Sequence, residues 1–301
     1  MEKILVTGAA GQLGTALREH ATRHEGLEFI FTDVIARDDI LPLDLTDRKT
    51  LSSFIRDHEP VWVINCAAYT QVDRAEENPE EAYLLNADVL KNLLETASIH
   101  PFRLIHISTD YVFSGHNYRP YREEDPPDPR TVYGKSKYEG EQIVLGYPQA
   151  MILRTSWLYS ETGSNFVRTI LRLARERDSL EVVYDQVGTP TYAGDLAAAI
   201  LTIIKSIVKG TRSLLPGIYH FSNEGVCSWY DFALEILRTE GVATTVRPVT
   251  SEQFVRPASR PYYSVLAKEK IREAYGLTIP HWKESLHKCL NNIKTMDNER
   301  E

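Results

Sequence analysis

The chain has no run of 18 apolar residues, so nothing in it is built to cross a membrane as a helix. It has little cysteine. Cys66, Cys227 and Cys289 are scattered, odd in number and without metal-ligand spacing, which fits a reduced cytoplasmic protein better than a disulfide framework. The opening MEKILVTGAAG carries no basic leader and no small-residue cleavage site, so a secretory signal is not expected. Positive charge is not in excess: the formal net charge is −8, which argues against a nonspecific nucleic-acid binder. An anionic small ligand is still allowed, because local basic residues can hold one. There is no internal repeat or low-complexity tract, and no His/Asp/Glu cluster that suggests a catalytic metal.

What is present is an ordinary globular composition, 43% hydrophobic and 25% charged over 301 residues, enough for one large domain or two smaller ones. Short apolar runs alternate with helical periods. KILVT (3–7), EFIFT (28–32), VWVIN (61–65) and RLIHIS (103–108) read as buried strands, with a helix from about Gln12 to Arg23 after the first. Val- and Ile-rich strands separated by helices predict a parallel sheet covered on both faces. Asn78 can cap a helix, with Pro79 at its first position and Glu81 completing a capping box. Ala82, Leu85, Val89, Leu93 and Ala97 follow at helical spacing. A Pro-rich, charged loop spans about Ser114 to Arg130. More α/β units follow it: a strand at MILRT (151–155), a helix near 165–177, a strand at LEVVY (180–184) and a helix near 195–208. Shorter, mixed elements after Gly217 predict a smaller lobe.

Between the first strand and its helix stands GAAGQLG, with Gly8, Gly11 and Gly14 spaced G-x-x-G-x-x-G. Glycines there let the backbone approach a pyrophosphate, and the free N–H groups of a helix start attract anions. The same pattern also serves a plain tight turn. The second strand ends at Asp33, about 20 residues on, where an acid binds the adenosine ribose. Together they predict a dinucleotide site. Asp33 favours NADH, and nearby Arg37 keeps NADPH open. Asp44 is either a turn residue or an adenine contact.

YGKSK places Tyr133 and Lys137 one helical turn apart, on one face. Each alone would be unremarkable in a chain with 16 tyrosines. Beside a nucleotide site they make a proton donor and the ammonium that lowers its pKa. STDYVFSG (108–115) closes the fourth strand, so Thr109 falls where ligands gather, at the carboxyl end of a parallel sheet. Ser108 is the rival hydroxyl, since adjacent strand residues face opposite ways.

TGAAGQLG, CAAYTQVDRAE, STDYVFSG, YGKSK and RTSWLY stand in the order found in the extended short-chain dehydrogenase/reductase superfamily. With DQVGTPT they resemble one family within it, dTDP-4-dehydrorhamnose reductase, to about residue 290. The resemblance implies NADH- or NADPH-dependent reduction of the 4-keto group of a dTDP-sugar, dTDP-4-dehydro-6-deoxy-L-mannose, to dTDP-L-rhamnose. It implies Tyr133 as proton donor, Lys137 as its tuner and ribose anchor, and Thr109 as the hydroxyl partner. Gly11, Gln12, Leu13, Asp33, Asp44, Leu45, Ala68, Tyr69 and Thr70 would line the cofactor. It makes Trp157, otherwise readable as a core residue, a substrate contact, with Asp110 and Tyr111 reaching sugar hydroxyls. Arg256 and Arg260 of RPASRP suit phosphate oxygens, or are solvated surface charges. Gln186 and Thr189 belong to a loop that borders the substrate in the family.

Some family members hold a magnesium ion between subunits with acids that align here with Ala16 and Gly194, so a metal-bridged dimer does not follow. A monomer or another homodimer does. The expected architecture is a Rossmann-like, doubly wound parallel sheet with a smaller, interleaved α/β substrate lobe. Residues 1–150 would form the dinucleotide-binding core, 151–215 would continue the sheet and supply substrate loops, and 216–301 would form mainly the substrate lobe. The rival readings are a nucleotide-sugar epimerase or dehydratase and a non-catalytic regulatory subunit. Asp110 without an adjacent Glu counts against dehydration, and retention of Thr109, Tyr133 and Lys137 counts against the regulatory subunit.

Overall fold

A computed structural model describes residues 1–22, 26–37 and 39–298. Seven parallel strands form its central sheet: β1 (Glu2–Thr7), β2 (Leu27–Asp33), β3 (Leu41–Pro42), β4 (Trp62–Asn65), β5 (Arg103–Thr109), β6 (Ala150–Thr155) and β7 (Gly217–His220). Their order is β7-β6-β5-β4-β1-β2-β3. Strand order reverses between β1 and β4, which opens a crevice at the carboxyl ends of those strands. This is the expected Rossmann-like α/β architecture.

Alternation along the strands builds two cores. Ile4, Val6, Trp62 and Ile64 face one side of the sheet, under helices α1 (Gln12–Ala21) and Ala193–Val208. Leu5 and Val63 face the other, under Arg48–His58 and Val89–Ile99. Both faces are covered, so the strands read as continuous apolar runs. The expected extension of α1 to Arg23 ends outside the described residues.

The helix expected after Asn78 is broken. Pro79 starts a short helix, Pro79–Tyr83, but Asn78 makes no side-chain cap and donates instead to the Arg74 carbonyl at 3.4 Å. Leu84–Asp88 then forms a π-turn before Val89–Ile99 resumes. Buried Asn86 lies in that turn. It accepts from Tyr69 N at 2.9 Å and donates to the Tyr69 carbonyl at 3.1 Å and Ser136 Oγ at 3.0 Å. These bonds account for the widened turn, a feature frequent at functional sites.

Sheet membership also departs from the 151–215 and 216–301 division. The strand near 180–184 leaves the main sheet: Ser179–Val183 pairs with Thr245–Val249 in a separate two-stranded sheet. The seventh main strand, β7, comes from 217–220 instead. Helix Ala193–Val208 packs on α1 and returns the chain to the edge beside β6. A third core joins Val167 and Ile170 to Phe232, Ile236, Leu286 and Leu290, and forms the interleaved lobe.

Candidate active site

One cleft of about 1180 Å³ runs along the carboxyl ends of the strands, more than the roughly 300–1,000 Å³ of a usual single-ligand site. The glycine turn forms part of its lining. Gly8 has φ +66°, and a Cβ on it would sit 2.6 Å from Ala67 N; a Cβ on Gly14 would meet the Gly8 carbonyl at 2.3 Å. These two close the turn against the sheet and against itself. Helix α1 begins at Gln12 with no side-chain cap, so its first N–H groups are left for an anion. Asp33 Oδ2 accepts from Ala10 N at 3.0 Å, which ties the end of β2 to the turn. These residues fit a dinucleotide.

Gly11, Gln12, Leu13, Asp44, Leu45, Ala68 and Thr70 line the same cleft. Asp44 Oδ1 also makes a local turn, accepting from Thr46 N at 2.8 Å and Thr46 Oγ1 at 2.7 Å. Tyr69 is set apart. It does not line the cleft but lies buried with Ala75 and Ala82, its backbone bonded to Asn86.

Tyr133, Lys137 and Thr109 line the same cleft. The helix that carries the first two, Val132–Leu145, starts at Thr131, whose Oγ1 accepts from Gly134 N at 3.0 Å. Its glycines set how closely it approaches. A Cβ on Gly134 would lie 2.3 Å from the Tyr111 carbonyl, and one on Gly140 2.2 Å from the Asn86 carbonyl. Larger residues would push Tyr133 and Lys137 off the cleft. Lys137 Nζ donates to the Ile107 carbonyl at 2.7 Å and lies 3.4 Å from His106 Nε2. Burial pushes this lysine down to about 8, against the charges of Glu141 and Cys66, which raise it.

The phenol differs from expectation. Burial pushes Tyr133 up to about 12; a hydrogen bond with Thr109 lowers it and the Asp110 charge raises it further. Desolvation outweighs any help from Lys137, so the phenol is held protonated, as a proton donor must be. The two candidate hydroxyls part as strand alternation requires. Ser108 Oγ donates to Glu141 Oε1 at 2.6 Å, whereas Thr109 Oγ1 donates to Asp110 Oδ1 at 3.1 Å and accepts from Tyr111 N at 3.2 Å. Asp110 is buried with Oδ2 unpartnered. Burial raises it to about 6, against nearby Ser264 and Thr109; Ser264 approaches without good hydrogen-bond geometry.

The lobe closes the cleft with Trp157, Trp229, Phe254, Arg256 and Arg260. Trp157 takes a left-handed φ of +49° and stacks on Trp229, centroids 3.5 Å apart. Arg260 donates to Asp73 Oδ2 at 2.7 Å and the Ala258 carbonyl at 3.0 Å; Arg256 lies over Phe254, 4.7 Å from the ring centroid. Gln186 lines the cleft and donates to Ser251 Oγ at 2.9 Å. Thr189 lies fully buried outside it, bonded to the Gly225 carbonyl at 2.7 Å. Ala16 and Gly194 are buried in the packing around α1. Among the described residues no group of three or more His, Cys, Asp or Glu can hold a metal ion, and no helix is long and apolar enough to cross a membrane.

Sequence reasoning missed Trp229, Glu141, His106 and Asn165. Trp229 carries no motif of its own. Glu141 was within reach, since it continues the i, i+4 series from Tyr133 through Lys137.

A glycine turn, a carboxylate at the end of β2 and a Tyr–Lys pair at one crevice define an extended short-chain dehydrogenase/reductase. The RmlD substrate binding domain family matches residues 1–295. The chain is 42% identical to the spore coat polysaccharide biosynthesis protein SpsK of Bacillus subtilis, covering 96% of this chain and 97% of that one. It is 41% identical to a dTDP-4-dehydrorhamnose reductase of Aggregatibacter actinomycetemcomitans, covering 95% and 97%. A crystal structure of dTDP-4-dehydrorhamnose reductase from Bacillus anthracis in complex with NADP superposes with a TM-score of 0.88 at 37% identity, covering 97% and 99%. The chain belongs to the dTDP-4-dehydrorhamnose reductase family.

Proposed function

We propose that this chain reduces the 4-keto group of dTDP-4-dehydro-6-deoxy-L-mannose (dTDP-4-dehydro-L-rhamnose) to dTDP-L-rhamnose with NADH or NADPH. What carries the reading is the meeting of Tyr133, Thr109 and Lys137 in one cleft with the glycine turn, in a chain of this family.

The glycine turn, Asp33 and Lys137 hold the dinucleotide, which supplies the hydride to the sugar carbonyl carbon. Tyr133 gives its phenolic proton to the carbonyl oxygen as charge develops there. The Lys137 ammonium stabilises the phenolate left behind. Thr109 turns its hydroxyl from Asp110 toward the phenol or the sugar oxygen. Burial of Thr109 and Lys137, with Tyr133 half-buried beside them, limits the water that competes for the proton. Trp157, Asp110 and Tyr111 contact the sugar, and Arg256 and Arg260 the diphosphate. One Arg260 nitrogen already serves Asp73, so Arg256 has the freer fork.

Residues 1–150 act as the dinucleotide-binding core, and the rest contributes mainly to the substrate side. Three free cysteines support a cytoplasmic setting, as a monomer or homodimer. The test is oxidation of NADH and NADPH with a panel of dTDP- and UDP-linked 4-keto sugars. Turnover is expected to favour dTDP-4-dehydro-L-rhamnose, and the two rates rank the cofactors. Turnover confined to a different 4-keto sugar, or none despite cofactor binding, contradicts the proposal.

A further inference from the structure

Asn165 lies buried at the start of helix Phe166–Glu176. Its Oδ1 accepts from Arg168 N at 3.1 Å, and its Nδ2 donates to the carbonyls of Ser160 at 2.9 Å and Thr162 at 3.1 Å. A backbone donor on one end and two carbonyls on the other leave only one orientation for this amide. The same Nδ2 shares its two hydrogens with a third acceptor, Gln12 Oε1 at 3.0 Å, across 153 residues of chain. Ser160 Oγ lies 3.0 Å from that oxygen and shares its single proton between it and the Thr162 carbonyl at 2.8 Å.

The Gln12 amide is therefore fixed in turn. Reversing it would set Gln12 Nε2 against Asn165 Nδ2, donor against donor. Oε1 faces the second lobe, and Nε2 lies on the opposite side of the amide carbon, with no hydrogen-bond partner among the described residues. This side chain lines the cleft from the first residue of α1, where the uncapped N–H groups already favour an anion.

We infer that Asn165 is a positioning residue for the dinucleotide: it fixes the Gln12 amide so that Nε2–H donates to a phosphate oxygen at the glycine turn. The segment 160–165 thereby joins the second lobe to cofactor affinity. The inference rests on the reading of the cleft as a dinucleotide site.

Asn165→Ser tests it. Serine keeps a helix cap but lacks the NH₂ that orients Gln12. Titration of the purified full chain with NADH and NADPH is expected to give a Kd raised about three- to tenfold, less than the tenfold or more that complete loss of a hydrogen bond to a charged group would cost, because Gln12 is freed rather than removed. The effect falls on Kd rather than on kcat at saturating cofactor. In a Gln12→Ala background the same substitution should leave Kd unchanged, because its route is gone. A general loosening of the fold would not depend on Gln12.

A native-like Kd for Asn165→Ser, or an equal loss with and without Gln12, overturns the inference while the dinucleotide site stands. Failure of the native chain to bind either nucleotide overturns the site and the inference together.

Discussion

Glu141 and Arg154 face one another in a bidentate ion pair at 2.8 and 2.7 Å, with side chains 0% and 1% exposed, one helical turn beyond Lys137. Ser108 also donates to Glu141, and the Arg154 guanidinium lies over Phe113, 4.9 Å from the ring centroid. The pair locks the helix of Tyr133 and Lys137 to β5 and β6. Removing one partner strands a buried charge. Glu141→Gln is expected to lower stability by about 3–5 kcal/mol, measured by urea unfolding. It should also push the Lys137 pKa further down, since Glu141 is what raises it.

Lys137 gives a stability signature of its own. Its folded value is about 8 against an ordinary 10.5. Between those values the unfolded chain holds the proton and the folded chain does not, so this group's contribution to stability rises with pH, by roughly 3 kcal/mol across the window. Comparison of pH-dependent unfolding between the native chain and Lys137→Met checks it. Parallel profiles would mean the lysine titrates normally.

Asp110 has the opposite sign. Its folded value is about 6 against 3.8, so the folded chain binds the extra proton between them. Stability from this group falls as pH rises from about 4 to 6 and stays lost above, at a cost of about 3 kcal/mol. Asp110→Asn should be more stable at pH 7 and flatten that part of the profile. An unchanged or lower stability would show the carboxylate to be better solvated than its burial implies.

Trp157 and Trp229 form one stacked unit. Alanine at either position should raise the KM for the sugar nucleotide about tenfold or more, with the cofactor Kd little changed. Equal loss of cofactor binding would place the pair elsewhere in the reaction path.

The sheet was legible in the sequence because β1, β4 and β5 are buried on both faces and read as apolar runs. The glycine turn, Asp33 and the Tyr133–Lys137 pair were legible because one turn or one helix carries each. Other features depend on contacts between distant segments. Ser179–Val183 looks like any α/β strand, and only its pairing with Thr245–Val249 takes it out of the main sheet. Tyr69 sits in a motif that faces the cleft, yet the Asn86 π-turn holds it aside. Trp229 meets Trp157 only because the lobe folds over. The phenol pKa was misjudged because sequence places the ammonium near Tyr133 but does not give the depth of burial.

The proton-donor role predicts that Tyr133→Phe loses turnover by about 10²- to 10⁴-fold while NADH and NADPH still bind. Near-native turnover in that variant would remove Tyr133 from the chemistry.

The most direct measurement uses NADPH or NADH carrying deuterium at the transferable C4 position, mixed with enzymatically prepared dTDP-4-dehydro-L-rhamnose and the purified chain. The account predicts one equivalent of cofactor oxidised per sugar and dTDP-L-rhamnose labelled at sugar C4, read by mass and NMR. Label absent from C4, or no oxidation by a chain that binds the cofactor, would contradict it.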